Sequence, residues 1–565
     1  MHALERLRRK LRGFVVPYGT GAENCFDAQQ GCHSPVPASY RGVDVTELSE
    51  SSYDEVPYAS NPFHYSHPDT LATAAILHGL APARVTRCRV LELGCAAGGN
   101  LLPMAQALPD SRLVGIDLSV RQIAEGQALL EAAGIRNAEL KAMSILDIAD
   151  DFGQFDYIIC HGVFSWVPGD VQDKILDICK KNLAPSGVAY VSYNTFPGWH
   201  MRAMVREMML YHVRGFPEPR QRVQQARALL DMLVSACGQS DSAYTHALKE
   251  ELRALGTVAD HYIFHEHLET INEPLYFHEL VARAAGRGLQ YLGEARPDAH
   301  AARLPPDVKQ KLAPLAHDVV RREQYVDFMV SRRFRWTLLC HAGLPVRHVL
   351  QPDVLANLRV GGFLVPKAPT ANVRSDERVT FAAANKVELT SGDPPVKAAF
   401  VILAQLAPLD LGFDALCQQV QPLIGASGPM SAEARQRLAG TLLQCYHADL
   451  LELHASPPPF VRDISERPKT TPLARRQAAA SPLVTNLRHR LVELPPFDRA
   501  LLMHLDGSHQ RRDLLAPLAE DISTGKLQVA AKDGSRPAAD AIPGILEKSI
   551  EPALRRIAVN SLLIG

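Results

Sequence analysis

Val90 to Asn100 reads Val-Leu-Glu-Leu-Gly-Cys-Ala-Ala-Gly-Gly-Asn, an apolar run that ends in a tight turn of small residues. Small residues at Gly94, Ala96 and Gly98 let the backbone turn sharply and let a ligand approach without a Cβ in the way. Glu92 before the turn and Asn100 after it add a carboxylate and an amide at the same place. Arg112 to Ser119 is a second apolar run, and it closes on Asp117 and Leu118. An acidic side chain about twenty residues beyond such a turn accepts hydrogen bonds from both hydroxyls of a ribose. A third run, Lys141 to Asp147, ends in another carboxylate, Asp147. These types and spacings are those of a site for a nucleoside-containing cofactor.

Two further loops carry polar and aromatic groups. Phe155 to His161 reads as a fourth strand and runs into Gly-Val-Phe-Ser-Trp166-Val-Pro; Val188 to Tyr193 reads as a fifth and runs into Asn194-Thr-Phe-Pro-Gly-Trp199-His. Tyr193, Trp166 and Trp199 offer an aromatic wall that attracts an amine or a methylated ammonium. Asn194 offers a hydrogen bond to that amine, and His161 either contacts the cofactor or takes a proton through water. The alternative is that both tryptophans pack a lid against the sheet and His161 only bonds backbone. Five apolar strands alternating with helical stretches such as Val120 to Ala133 and Gln172 to Asn182 predict a parallel sheet covered on both faces.

The first strand, small-residue turn and acidic second strand resemble the cofactor site of class I methyltransferases that use S-adenosylmethionine. A closer resemblance rests on Tyr53-Asp-Glu-Val-Pro-Tyr58, Pro62-Phe63, His67-Pro68, the run from His161 to Pro168, Ser192-Tyr-Asn-Thr and the stretch from His265 to Phe277. These look like the bacterial methyltransferases carrying a methyltransferase regulatory domain, whose characterised branch resembles the rickettsial-type protein lysine methyltransferases. The resemblance runs from about Ser51 to the C-terminus. It implies a Rossmann-like seven-stranded α/β core and S-adenosylmethionine as cofactor, with Asp147 beside the adenine amino group. Cofactor contacts are expected from Tyr58, Glu92, Gly94, Ala96, Gly98, Asn100, Asp117, Leu118, Asp147 and His161. Catalytic roles are expected for Tyr193, Asn194 and His161, with Trp166, Tyr193 and Trp199 against the substrate. The implied reaction is methylation of lysine ε-amines on proteins, surface or outer-membrane proteins included. Ala97, where many such loops carry Thr or Gly, and the basic N-terminus depart from the pattern.

Methyl transfer is an in-line displacement in which the protein mainly aligns the reactants, so no metal is expected. A lysine nucleophile must be neutral, which from a pKa near 10.4 costs about 4 to 5 kcal/mol at pH 7. Desolvation among aromatic rings reduces that cost. His261, His265 and His267 have partial metal-ligand spacing but read as surface histidines on a helix. The competing functions are methylation of a small molecule or another side chain, and a non-catalytic methyltransferase-like scaffold.

A chain of 565 residues is too long for one core. Its formal charge of −1 gives no reason to expect nucleic acid as a partner. Ten scattered cysteines without a Cys-x-x-Cys pair fit a reducing compartment, and cytoplasmic placement follows. No apolar stretch is long enough for a transmembrane helix. The expected organisation is a poorly ordered basic leader at 1–46, a first part of the core at 47–214, a helical insertion at 215–275 and the rest of the core at 276–345. A winged-helix-like module at 346–460, a Pro-rich linker at 461–482 and a second such module at 483–565 complete it. The insertion follows the fifth strand and stands above the reactive centre as a lid or recognition element. The neutral C-terminal half suits protein docking better than DNA binding, and homodimerisation is an alternative use.

Overall fold

The computed structural model describes residues 60–565 apart from 239, 257, 297–303, 316, 369–371, 384–385 and 529–537. The leader and Tyr58 lie outside the described residues. Seven strands form one sheet: β1 (Arg89–Leu93), β2 (Arg112–Asp117), β3 (Ala138–Ala142), β4 (Phe155–Cys160), β5 (Leu183–Asn194), β6 (Leu289–Glu294) and β7 (Phe334–His341). Their order is β3-β2-β1-β4-β5-β7-β6. The first five strands are parallel, and β7 runs antiparallel between β5 and β6.

Strands covered on both faces must be apolar almost throughout, and alternation divides their side chains between two cores. Val90, Tyr157, Ile159, Val188 and Tyr190 enter one. Leu91, Leu93, Ile158, Cys160, Val191 and Tyr193 enter the other. Because β7 is antiparallel, its first residues stand at the same rim as the last residues of β4 and β5.

The third strand ends earlier than the apolar run suggests. The Ser144 hydroxyl accepts from the Leu146 N–H and opens a 3-10 turn, Ile145–Asp147, which carries Asp147 clear of the strand. The Leu-Ala-Pro-Ser-Gly turn expected before the fifth strand lies inside β5, as an irregularity in its pairing with β4 between Phe155 and Tyr157.

Four helices follow β5: Trp199–Val213, Pro219–Cys237, Ala243–Leu255 and Asp260–His267. They share a core of their own, with Val205, Met209, Ala226, Leu230, Leu248, Ile263 and Phe264 buried together. This packing corrects the expectation of surface histidines: His265 and His267 are buried, and His265 Nδ1 lies 3.0 Å from Glu269 Oε1.

Beyond β7 lie small sheets and helices. The stretch expected as a linker is instead built structure: Lys469–Thr470 pairs with Leu563–Ile564, and the Pro472–Ala480 helix buries Leu473, Ala474 and Ala478. Its alanines mark a helix face, not a flexible tether. A hairpin of Leu483–Thr485 and Leu491–Glu493 follows. Its tip docks by Arg488, which donates to Asp410 Oδ2 at 2.6 Å, and by Arg490, which donates to Glu452 Oε1 at 2.5 Å.

Arg335 fixes the start of β7. It is 1% exposed and donates to Asp327 at 2.9 and 2.8 Å and to Glu294 at 2.6 Å, with its guanidinium 3.9 Å from the Phe277 ring centroid. Removing one partner of a buried ion cluster strands the others in low dielectric and costs about 3–5 kcal/mol. Arg335→Met is expected to lose about that much stability, read from the midpoint of urea unfolding.

Candidate active site

The turn after β1 takes positive φ at Gly94 (72°), Ala96 (49°) and Gly98 (76°). A Cβ on Gly94 would stand 2.4 Å from Val163 Cγ2, and one on Gly99 would stand 2.1 Å from the Ser60 carbonyl oxygen. The small residues are therefore required by close approach as well as by conformation. Asp117, at the end of β2, accepts from the Ala96 N–H at 2.8 Å and the Ser119 N–H at 2.9 Å. Leu118 and Leu146 are exposed apolar side chains at this rim. Asp147 is exposed beside them.

Asn100 is 4% exposed and is the hub beneath the turn. Its Nδ2 donates to Glu92 Oε1 at 2.7 Å and to Ser66 Oγ at 3.1 Å. Its Oδ1 accepts from the Phe63 N–H at 2.8 Å and bonds His489 Nε2, in the C-terminal hairpin, at 2.7 Å. Burial pushes the Glu92 carboxyl up to about 8, and its Oε2 has no hydrogen-bond partner among the described residues. A ligand ammonium would relieve that group, as the amino acid end of S-adenosylmethionine can. An acid at the end of β2, a glycine turn and a buried carboxyl oxygen with no partner among the described residues thus suit this cofactor.

A cavity of about 440 Å³ opens at the same end of the sheet. Its walls include Phe63, Tyr65, His161, Tyr190, Asn194, Trp199, Tyr262, Phe334 and Trp336. The chain has three tryptophans, and the third, Trp166, stands edge-on to Trp199 with centroids 6.4 Å apart. His161 Nδ1 hydrogen-bonds Tyr190 OH at 2.7 Å, and its ring lies 3.7 Å from that of Phe63. Burial lowers the His161 pKa to about 3, so the imidazole is neutral and a poor proton acceptor. The buried Asn194 Nδ2 and Trp199 Nε1 have no hydrogen-bond partner among the described residues.

Tyr193 does not belong to this cavity. It is 1% exposed on the opposite face of β5, where its hydroxyl meets Thr337 Oγ1 at 3.1 Å beside the Arg335 cluster. Strand alternation is the reason, since Asn194, Ser192 and Tyr190 share one face and Tyr193 the other. The β5 tyrosine in the cavity wall is Tyr190, which the register of Asn194 could have identified. Phe334 and Trp336 were also missed, and an antiparallel seventh strand was the signal for them. Arg202, from the helix directly after β5, Tyr262, from the insertion, and His489, from the hairpin, carry no local signal.

Family comparisons agree with this geometry. Residues 91–189 match a methyltransferase domain, 259–341 a predicted methyltransferase regulatory domain, and 466–562 the C-terminal winged helix domain of PKMT. An uncharacterised Rickettsia prowazekii protein is 35% identical over 529 residues, which span 92% of this chain and 95% of that protein. A second protein from the same organism is 41% identical over 248 residues, 44% of this chain and 99% of its own. The structure of PKMT2 from Rickettsia typhi in complex with AdoHcy superposes with a TM-score of 0.81 at 32% identity, covering 90% of this chain and all of that one. The chain therefore belongs to the class I S-adenosylmethionine-dependent methyltransferases that carry a regulatory domain and a PKMT-type winged helix. S-adenosylmethionine is its cofactor. No helix among the described residues is long and apolar enough to cross a membrane.

Hydrogen bonds to a charged group contribute about 1.5–3 kcal/mol, so Asp117→Ala is expected to weaken S-adenosylmethionine binding roughly 10- to 100-fold by calorimetry, with the circular dichroism of the fold unchanged. The site also confers acid sensitivity. Burial lowers His64 and His67 to about 4 and His161 to about 3, from an ordinary value of 6.5. These rings are neutral when folded and take up protons on unfolding, so their contribution is full above pH 6.5 and is lost as pH falls toward 4. Thermal melts are expected to move to lower temperature between pH 7 and pH 5.

Proposed function

We propose that the chain methylates lysine ε-amines of protein substrates. The observation that carries this reading is the aromatic cavity at the rim of β4, β5 and β7, beside the cofactor turn. Rings of Phe63, Tyr190, Trp199, Phe334 and Trp336 exclude water and favour the neutral amine. The same faces attract a methylated ammonium, which suits repeated transfer to one nitrogen. S-adenosylmethionine supplies an electrophilic methyl group on sulfur. Asp117, Glu92 and the turn from Gly94 to Gly98 hold it, while Asn194, at the end of β5, presents its amide toward the acceptor. His161, neutral and tied to Tyr190, shapes the wall between the two without carrying a proton.

The insertion helices, which bring Tyr262 over the cavity, act as the recognition lid. The large C-terminal half favours a macromolecular acceptor over a metabolite. The name of the Rickettsia typhi neighbour, PKMT2, points the same way. The acceptor class includes surface and outer-membrane proteins, met in the cytoplasm; the eight described cysteines are all free thiols, as a reducing compartment requires.

The full-length chain, given S-adenosylmethionine with a labelled methyl group and bacterial lysate split into protein and small-molecule fractions, is expected to label protein, and acid hydrolysis is expected to release methyl-lysine. Label confined to small molecules would overturn the lysine reading in favour of a metabolite acceptor.

A further inference from the structure

Lysine methylation needs a group that removes a proton from the incoming ammonium, and the residues already placed in the cavity do not supply one. His161 is committed to Tyr190 and pushed far below neutrality. Asn194 and the tryptophans have no basic atom. Tyr193 is on the other face of the sheet.

Among the described residues the cavity has one carboxylate in its wall, Glu266, near the end of the Asp260–His267 helix. Its neighbours come from every element packed there. Arg202 and Arg206 face it from the Trp199–Val213 helix, Tyr262 and His265 from its own helix, and Arg333, also in the cavity wall, stands just before β7. The two cavity arginines are held elsewhere: buried Glu251, on the Ala243–Leu255 helix, lies 3.5 Å from Arg202 Nε and 3.6 Å from Arg333 Nη1. His265 is likewise paired with Glu269. Arg202 lies over the Trp199 ring and reaches the Tyr262 hydroxyl at 3.4 Å. Glu266 itself makes no ion pair within 4 Å and no hydrogen bond among the described residues, which leaves its oxygens to whatever enters the cavity.

We infer that Glu266 is the catalytic base, receiving a proton from the substrate ε-ammonium inside the aromatic cavity. This rests on the lysine reading above. An N–H bond of the ammonium breaks, the proton passes to a Glu266 oxygen, and the bonding pair remains on nitrogen as its lone pair. That pair forms the new N–C bond to the methyl carbon as the C–S bond breaks, its electrons passing to sulfur. The product is a methylated ammonium, and Glu266 returns its proton to solvent before the next transfer. Desolvation raises this carboxyl to about 7, with Arg202 the largest opposing influence. A group so poised accepts a proton at neutral pH and releases it readily.

Glu266→Gln in the full chain tests the assignment, with the protein fraction labelled by the wild type as acceptor. Base catalysis of this kind contributes about 100- to 10,000-fold, so turnover at pH 7 is expected to fall at least about 100-fold. Binding of S-adenosylhomocysteine, by calorimetry, is expected to stay within about twofold, since Glu266 has no place in the cofactor site. The variant's rate should then climb about tenfold per pH unit toward pH 10, as the free amine replaces the missing base, while the wild-type rate levels off above about 7. Glu266→Asp should recover part of the loss. Infrared difference titration should show one carboxyl ionising near pH 7 that is absent from Glu266→Gln, independently of any acceptor. Wild-type turnover in Glu266→Gln, a loss equal at every pH, or no such ionisation would overturn the inference. A wild type that makes no methyl-lysine yet shows the ionisation would instead locate the failure in the lysine reading.

Discussion

One buried amide ties the cofactor turn to the rest of the molecule. Asn100 uses both amide protons and its carbonyl oxygen within the protein, on Glu92, Ser66, Phe63 and His489. A buried amide left unpaired is costly, so each partner has to arrive in place. The glycine turn sets Asn100 itself. The segment before the Pro68–Leu77 helix delivers Phe63, whose ring then covers His161. The C-terminal hairpin delivers His489 in a left-handed conformation, φ 58°. Burial and nearby histidines hold the His489 imidazole neutral, free to donate one N–H to the Asn100 oxygen. Cofactor turn, cavity roof and C-terminal module therefore rise or fall together, and the winged-helix hairpin is spent on an intramolecular contact.

A second constraint works on the opposite side of the cavity. Arg335 and its carboxylates fix the first residues of β7, and Glu294 also accepts from the Trp336 N–H at 3.0 Å and the Thr337 hydroxyl at 3.0 Å. Trp336 is held against the cavity by charges beneath it, and Tyr193 belongs to that support through Thr337. The aromatic lining is thus backed by a buried ionic layer, while its own polar members, His161 and Tyr190, are neutral.

The sheet was legible because strands buried on both faces leave long apolar runs and because Gly94, Gly98 and Asp117 have few other uses at that spacing. What stayed hidden depended on phase and on distance in sequence. Tyr193 and Tyr190 both lie in β5, and only the register tells which faces the cavity. His265 and His267 looked solvated until the packing of the insertion decided their face. The 461–482 stretch looked like a tether because Pro, Ser and Ala are ambiguous between a linker and a short helix. The Asn100 to His489 bond joins residues 389 apart, and no local pattern announces it.

The most direct measurement is a crystal structure of the full chain with S-adenosylhomocysteine and a lysine peptide cut from the labelled acceptor. The lysine side chain is expected to lie between Tyr190 and Trp199, with its nitrogen facing the cofactor sulfur. A peptide bound away from the rim of β4, β5 and β7, with the aromatic cavity filled by the cofactor itself, would contradict the account.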